Sequence, residues 1–470
     1  MRDIMDTQPP KGGTPTLSRS CWSSAFRRLR VHALGCGRLA RKSVSVAITC
    51  ALLLAAGCSR DSDAPKPDRT LEYAREELPA EQNAYPIWTN VFAQLKESKM
   101  SQELRSAFNG ASMFKTNVSM EEVSVQLTEW LDSKRETRVL IDRALGMRLQ
   151  FPLPKLDGSD ALPEISGMID VAHMKIVSGR LCVERGVYDD AAREYLDVVR
   201  FGQYVVAGSG GNVIYLVGAG VQGKGLSAVR QFCADERVPV AVMRKTLGRL
   251  PVSSANDHDL VRTFDLEHAH LVAAVKESLS FRKHSFAGWL GNLVVDARAT
   301  EILAAELRDM NQANALCVSW TACDRSLFLK YEKMDKTEMD QFFLIKARFG
   351  NSFRMWKTAL KHPNLGGEYW MALSAGAADG TLKRSFHART SFSLTRAFVA
   401  LRILRRETGA YPASLDEVVA KGLLPEVPVD FFDGQPLRYS AEKRLLWSVG
   451  EDCADDGGIE KKDVVITLPE

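Results

Sequence analysis

From Leu71 to about Phe386, apolar residues recur every three to four positions, and nowhere over a useful length do they alternate as they would along a half-buried strand. That periodicity allows little besides an all-helical body. In MEEVSVQLTEWL, starting at Met120, the residues Val123, Leu127, Trp130 and Leu131 form the stripe of a helix that packs on one face. Pro239 before VAVM and Gly248 near the end mark a short helix, because proline suits the start of a helix and glycine its end. The expected fold is mainly α, with an all-helical domain over 71–386 and a small α+β module over 387–470 that contains a β-hairpin.

The 470 residues carry a formal net charge of +4, but the distribution is uneven. Arg2, Lys11, Arg19, Arg27, Arg28, Arg30, Arg38, Arg41 and Lys42 face only Asp3 and Asp6 in residues 1–57, so the rest of the chain is net acidic. An acidic body has no electrostatic footprint for phosphates, and no nucleic-acid partner is expected.

Residues 1–42 are rich in Arg, Ser, Gly and Pro and have no apolar period, as in a targeting leader. The uncharged run from Ser43 to Gly57 follows Arg41-Lys42 and is shorter than the roughly 20 residues a bilayer span needs. It ends in Leu54-Ala-Ala-Gly-Cys58, which resembles the lipobox of bacterial lipoproteins, although Ala55 stands where Leu is commonest. The resemblance implies acylation of Cys58, with 1–57 as leader and signal segment and 58–70 as a polar tether. The protein would then be exported and anchored to a membrane of the cell envelope. Of nine cysteines, Cys182, Cys233, Cys317, Cys323 and Cys453 would remain free to pair beyond Cys58. Cys317 and Cys323 are close enough for a loop disulfide, and buried free thiols are the equal alternative.

Within the body, Gly186-Val-Tyr188-Asp-Asp-Ala191 through Tyr195 resembles the turn and second helix of a tetratricopeptide repeat, but no 34-residue recurrence accompanies it. One helix pair is the expectation. Gly218-Ala-Gly220-Val-Gln-Gly223 has the spacing of a dinucleotide-binding loop, yet no strand-helix-strand alternation surrounds it. These glycines are expected inside a helix over 213–230, permitting a close crossing. Around Asp257-His258-Asp259, the helical period places His268 within the stripe of Val261, Phe264, Leu271, Val272 and Val275, with His270 nearly opposite. His268 reads as a hydrogen-bonded core histidine. No motif assigns a catalytic residue or an organic cofactor.

At the C-terminal end, a helix is expected from about Ser391 to Gly409, followed by Tyr411-Pro412 and a short helix capped by Ser414 and closed by Gly422. An Asp433-Gly434 turn and a hairpin of Leu437–Tyr439 with Leu446–Val449 come next. Gly409, Tyr411-Pro412, Leu415, Pro428, Asp430, Gly434, Pro436-Leu437, Tyr439, Ser448-Val-Gly450 and Asp452 together resemble the globular C-terminal part of the major pseudopilins of type II secretion. The prepilin cleavage site and assembly helix of that family do not precede them here. The resemblance implies a calcium loop with Ser448, Asp452, Asp455, Asp456 and Asp463 as ligands, which departs from the family at Cys453, where glycine is usual, and at IEKK before Asp463.

The functional expectation is a cell-envelope lipoprotein with a structural or protein-interaction role and a partner in the envelope. The alternative is a hydrolase-like envelope enzyme that recruits His258, Asp265 or His268 to a cleft.

Overall fold

The computed structural model describes residues 75–97, 120–153, 165–252, 257–281, 297–332 and 364–470. Cys58 and the rest of the leader, signal and tether lie outside them. The mainly helical expectation holds. Among the described residues the helices are α1 (Tyr85–Glu97), α2 (Met120–Ser133), α3 (Arg135–Leu145), α4 (Ile165–Glu184), α5 (Tyr188–Ala207), α6 (Gly211–Ala234), α7 (Val240–Arg249), α8 (Asp257–Phe281), α9 (Ala297–Ala315), α10 (Ser326–Glu332), α11 (Leu365–Thr408) and α12 (Leu415–Ala420). Three short strands follow, β1 (Arg438–Ser440), β2 (Leu445–Ser448) and β3 (Val464–Thr467). They form an antiparallel sheet in the order β1-β2-β3. The hairpin register pairs Tyr439 with Leu446. β3, paired through Trp447 opposite Val465, was not expected.

Helices α4 and α5 form the pair anticipated around Gly186, whose φ of 72° turns the chain between them. Tyr195 of α5 lies against Gly179 of α4, where any Cβ would sit 2.5 Å from the ring. Inside this layer Lys175, only 6% exposed, is held by Asp142, Glu194 and Asp197, each at 3.2 Å. Burial alone would depress its ammonium, but the three carboxylates outweigh that cost and raise its pKa.

The Gly218-x-Gly220-x-x-Gly223 segment is helical, inside α6. Its glycines play unequal parts. A Cβ on Gly218 would lie 2.9 Å from the Gly202 carbonyl of α5, and Gly225 comes equally close to the backbone of Val199. Gly220 and Gly223 have nothing within 4 Å. The crossing of α5 and α6 therefore rests on Gly202, Gly218 and Gly225, and the dinucleotide spacing is incidental.

Helix α11 is 44 residues long and starts at Leu365, well before the expected Ser391. It passes straight through position 386/387. Its first half packs Met371, Leu382 and Phe386 with α8, α9 and α10, together with Phe432 and Val449 of the C-terminal segment. Its second half packs Phe392, Phe398, Leu401 and Leu404 with α5, α6 and α7, and with Leu415, Leu437, Leu446 and Leu468. Body and C-terminal segment thus share two cores.

Two arginines on α11 stop other helices. Arg402, fully buried, donates to the carbonyls of Cys233 and Ala234 at the end of α6, to Tyr411 Oη and to Glu236. Arg389 donates to the carbonyls of Ala315 and Cys317 just past α9. Terminal carbonyls of a helix have no intrahelical donor, so each guanidinium satisfies groups that would otherwise be orphaned. The sequence pattern places Arg402 off the apolar stripe of α11; its position under α6 explains its burial.

Candidate functional site

Facing stripes of α8, α9 and α11 line a half-open cavity of about 240 Å³. On α11, Trp370, Leu373, Ser374, Ala377 and Ala378 follow the i, i+3, i+4, i+7, i+8 pattern of one helix face. Ala304, Leu307, Arg308 and Asn311 do the same on α9. Phe264, His268 and Leu271 face them from α8. Small side chains on all three helices leave the space open, and aromatic and aliphatic ones make its walls.

The first turn of α6 closes one end. Glu267 Oε1 accepts the Asn212 backbone N–H at 2.8 Å, so a carboxylate on α8 caps the free amides of α6. Asn212 itself is 7% exposed, and its side-chain oxygen has no partner among the described residues. Asn311, 4% exposed, is in the same state at Oδ1. His268 is half-buried. Its ring bonds the Ala304 carbonyl, and Nδ1 is left without a partner. Desolvation and the neighbouring Arg308 lower its pKa, which favours the neutral ring. The expected hydrogen-bonded histidine is therefore only half satisfied. His270, expected on the far side of α8, borders the same cavity.

The enzyme alternative named His258, Asp265 and His268. His258 is exposed, and the Asp265 carboxylate accepts from Gln312, so of the three only His268 borders the cavity. The other polar members, Asn212, Glu267, Arg308 and Asn311, carry no sequence motif. A polar residue at a core position of α9, Asn311 within the stripe of Ala304 and Leu307, is the one local signal that could have flagged them.

The C-terminal acidic loop is organised around a residue outside the ligand list. Asp430 is fully buried and accepts from Ser448 Oγ and the amides of Phe432 and Val449 at 2.9–3.0 Å, and from Arg438 at 3.3 Å. Ser448 is thereby committed to the scaffold of the loop. Asp455 accepts from Trp447 Nε1 and the Gly457 amide, which hold its pKa down, and Arg438 lies nearby. Asp456 pairs with Lys462 at 2.7 Å. Asp452, exposed, accepts the Ala454 amide. Asp463 Oδ2 accepts the amides of Gly458 and Ile459, and its buried Oδ1 has no partner among the described residues. No three acidic, histidine or cysteine side chains converge as a metal group among those residues. Gly450, Gly457 and Gly458 have positive φ, as a wrapping loop needs; so does Cys453, at 57°, where a side chain is disfavoured and the resemblance would place glycine.

Ser414 does not cap as expected. Its hydroxyl turns to Asp416, and Glu417 reaches back to the Ala413 amide instead. Cys317 and Cys323 are free thiols, and burial together with its neighbour pushes Cys323 up to about 12. No described helix is long and apolar enough to cross a membrane. No protein-family model, curated protein or solved structure matches this chain at a significant level.

Proposed function

We propose that this protein is a lipid-tethered component of the cell envelope that works as a structural or protein-interaction element. What supports the reading is how the molecule spends its charges. Lys175, Arg402 and Asp430 are each buried and each bound to several internal partners, so they stiffen the fold instead of serving chemistry. The tether rests on the basic flank, apolar run and Cys58 of the sequence. Several acyl chains would hold such a protein firmly, since each buried methylene adds about 0.8 kcal/mol. Radiolabelled palmitate should enter the wild-type protein and not Cys58→Ser, with the variant released from membranes. Equal membrane retention and no label in either form would end the lipoprotein reading. A partner is tested by affinity capture from solubilised membranes followed by reconstitution of the purified pair. Elution of the protein only as itself would count against an interaction role.

Calcium is the cation we propose for the acidic loop, because a hard divalent ion takes six to eight oxygens and Asp463 Oδ1 is a buried oxygen with none of its own. Asp455 and Asp456 stand nearest to it in the loop sequence, with Asp452 and Ser448 before them. Lys462 on Asp456 is the competing charge.

A further inference from the structure

The chain that leaves α9 makes a loop and comes back to where it started. Asn314, in the last turn of α9 and 1% exposed, donates through Nδ2 to the Asp324 carbonyl at 2.6 Å and accepts the Asp324 amide at Oδ1 at 2.8 Å. One buried side chain thus closes the neck of the loop. Arg389 holds the same neck from α11, donating to the carbonyls of Ala315 and Cys317.

Cys317 and Cys323 stand just inside that neck, on opposite strands of it. Cys317 Sγ lies 3.6 Å from the carbonyl of Ala322, the residue next to Cys323, and 3.5 Å from that of Ala313. Cys323 Sγ turns back toward the carbonyls of Ser319 and Asn314, at 3.6 and 3.9 Å. The two thiols also share a hydrogen bond. A disulfide requires Cβ atoms roughly 4 Å apart, and thiols already in contact across a fixed neck are placed for one.

What the loop carries gives the pair a consequence. Between the two cysteines, Trp320 and Thr321 donate their amides to the carbonyls of Phe431 and Phe432 at 2.9 and 3.1 Å. Trp320 is buried edge-on to Phe386 of α11, under the Arg325 guanidinium. The loop is therefore a seat for the C-terminal segment.

We infer that Cys317 and Cys323 form a disulfide site, oxidised by exchange with a disulfide donor, and that the bond clasps this loop under the C-terminal segment. One cysteine attacks the donor as its thiolate, forms a mixed disulfide and releases one donor thiolate. The second cysteine gives up its proton to solvent, attacks the mixed disulfide and releases the other donor thiolate. The protein loses two electrons and two protons, and the donor is reduced to two thiols. Both cysteines are partly exposed, so a donor can reach them. Burial and the Cys317 neighbour push Cys323 up to about 12, which makes it the second, resolving sulfur. The exchange needs only a disulfide donor and holds whether or not the protein is exported.

The test treats reduced full-length protein with oxidised glutathione, quenches it with iodoacetamide and digests it with trypsin. Arg308 and Arg325 bound a single tryptic peptide, 309–325, that contains both cysteines. The expected product is this peptide two hydrogens lighter, carrying neither alkyl group nor glutathione, and returned to the dithiol by reductant. Oxidation should also raise the melting temperature by about 2–4 °C, the order expected of a short cross-link in a chain of this size. Cys317→Ser under the same treatment should show no such rise. A peptide still alkylated on both cysteines overturns the inference, as does one that keeps glutathione or is joined to Cys182, Cys233 or Cys453. Equal melting temperatures for the oxidised and reduced wild type overturn the clasp. Should Cys317→Ser fail to fold, the peptide mass and the wild-type melting comparison still decide the matter.

Discussion

Asp430 and Asn311 are buried to nearly the same degree, yet they are in opposite states. Asp430 gathers four donors from three neighbouring segments. Asn311 has an oxygen with none. A buried group that gathers several donors specifies one conformation, whereas a buried acceptor left unpaired keeps its desolvation cost and specifies little.

The contrast breaks most sharply at Asp430. Asp430→Ala would leave the Ser448 hydroxyl, two amides and one face of Arg438 buried without their acceptor, and a loss of about 3–5 kcal/mol in chemical denaturation is expected. A loss under about 1 kcal/mol would mean that the loop is not organised by this residue.

Acid should act next. Trp447 Nε1 and the Gly457 amide lower the pKa of Asp455, and the His387 contact lowers that of Glu451. A lowered carboxylate contributes stability that is present above its unfolded pKa and disappears as pH falls through the folded value. Stability should therefore decline below the ordinary carboxylate range, and Trp447 fluorescence should report it. Asp430 opposes this trend. Burial raises its pKa, so its share is full below the unfolded value and is lost as pH rises through the folded one. Asp455→Asn should flatten the acid decline; an unchanged profile would show that Asp455 does not drive it.

Asn311→Leu should move stability by no more than about 1 kcal/mol, and upward if at all, since it replaces an unsatisfied buried amide with an apolar group of similar size. A loss of 3 kcal/mol or more would show that Asn311 is paired after all and would erase its contrast with Asp430.

Calcium gives the smallest expected effect. Millimolar calcium should raise the melting temperature of the full chain slightly, and more in Lys462→Met, where the ammonium no longer occupies Asp456. No shift in either protein would remove calcium from the description of this loop.

Much of the fold was legible because helical period is a local signal. Leu127 and Leu131, Phe264, Leu271 and Val275 are all buried where the pattern places them. The start of α11 was not legible, because its first half runs through Gly376, Gly380 and several alanines and shows little apolar contrast. Val464–Thr467 escaped notice as a strand because it is four residues long and follows the acidic loop without a turn signal of its own. The cavity is a meeting of helices distant in the chain, and His268 and Asn311, polar residues on apolar stripes, are the local hints of it. The burial of Arg402 was equally out of reach, since its cause is the end of another helix.

The continuous path of α11 also bears on how the molecule can be made. At about 1.5 Å per residue it is a strut of roughly 65 Å. Phe392, Phe398 and Leu401 complete the core around α5, α6 and α7, so those earlier helices emerge from the ribosome without the residues that cover them. They must wait, exposed, until the last sixth of the chain arrives. Maturation is thereby tied to completion of synthesis, and a chain interrupted before α11 presents an open apolar face to whatever chaperone or protease meets it first.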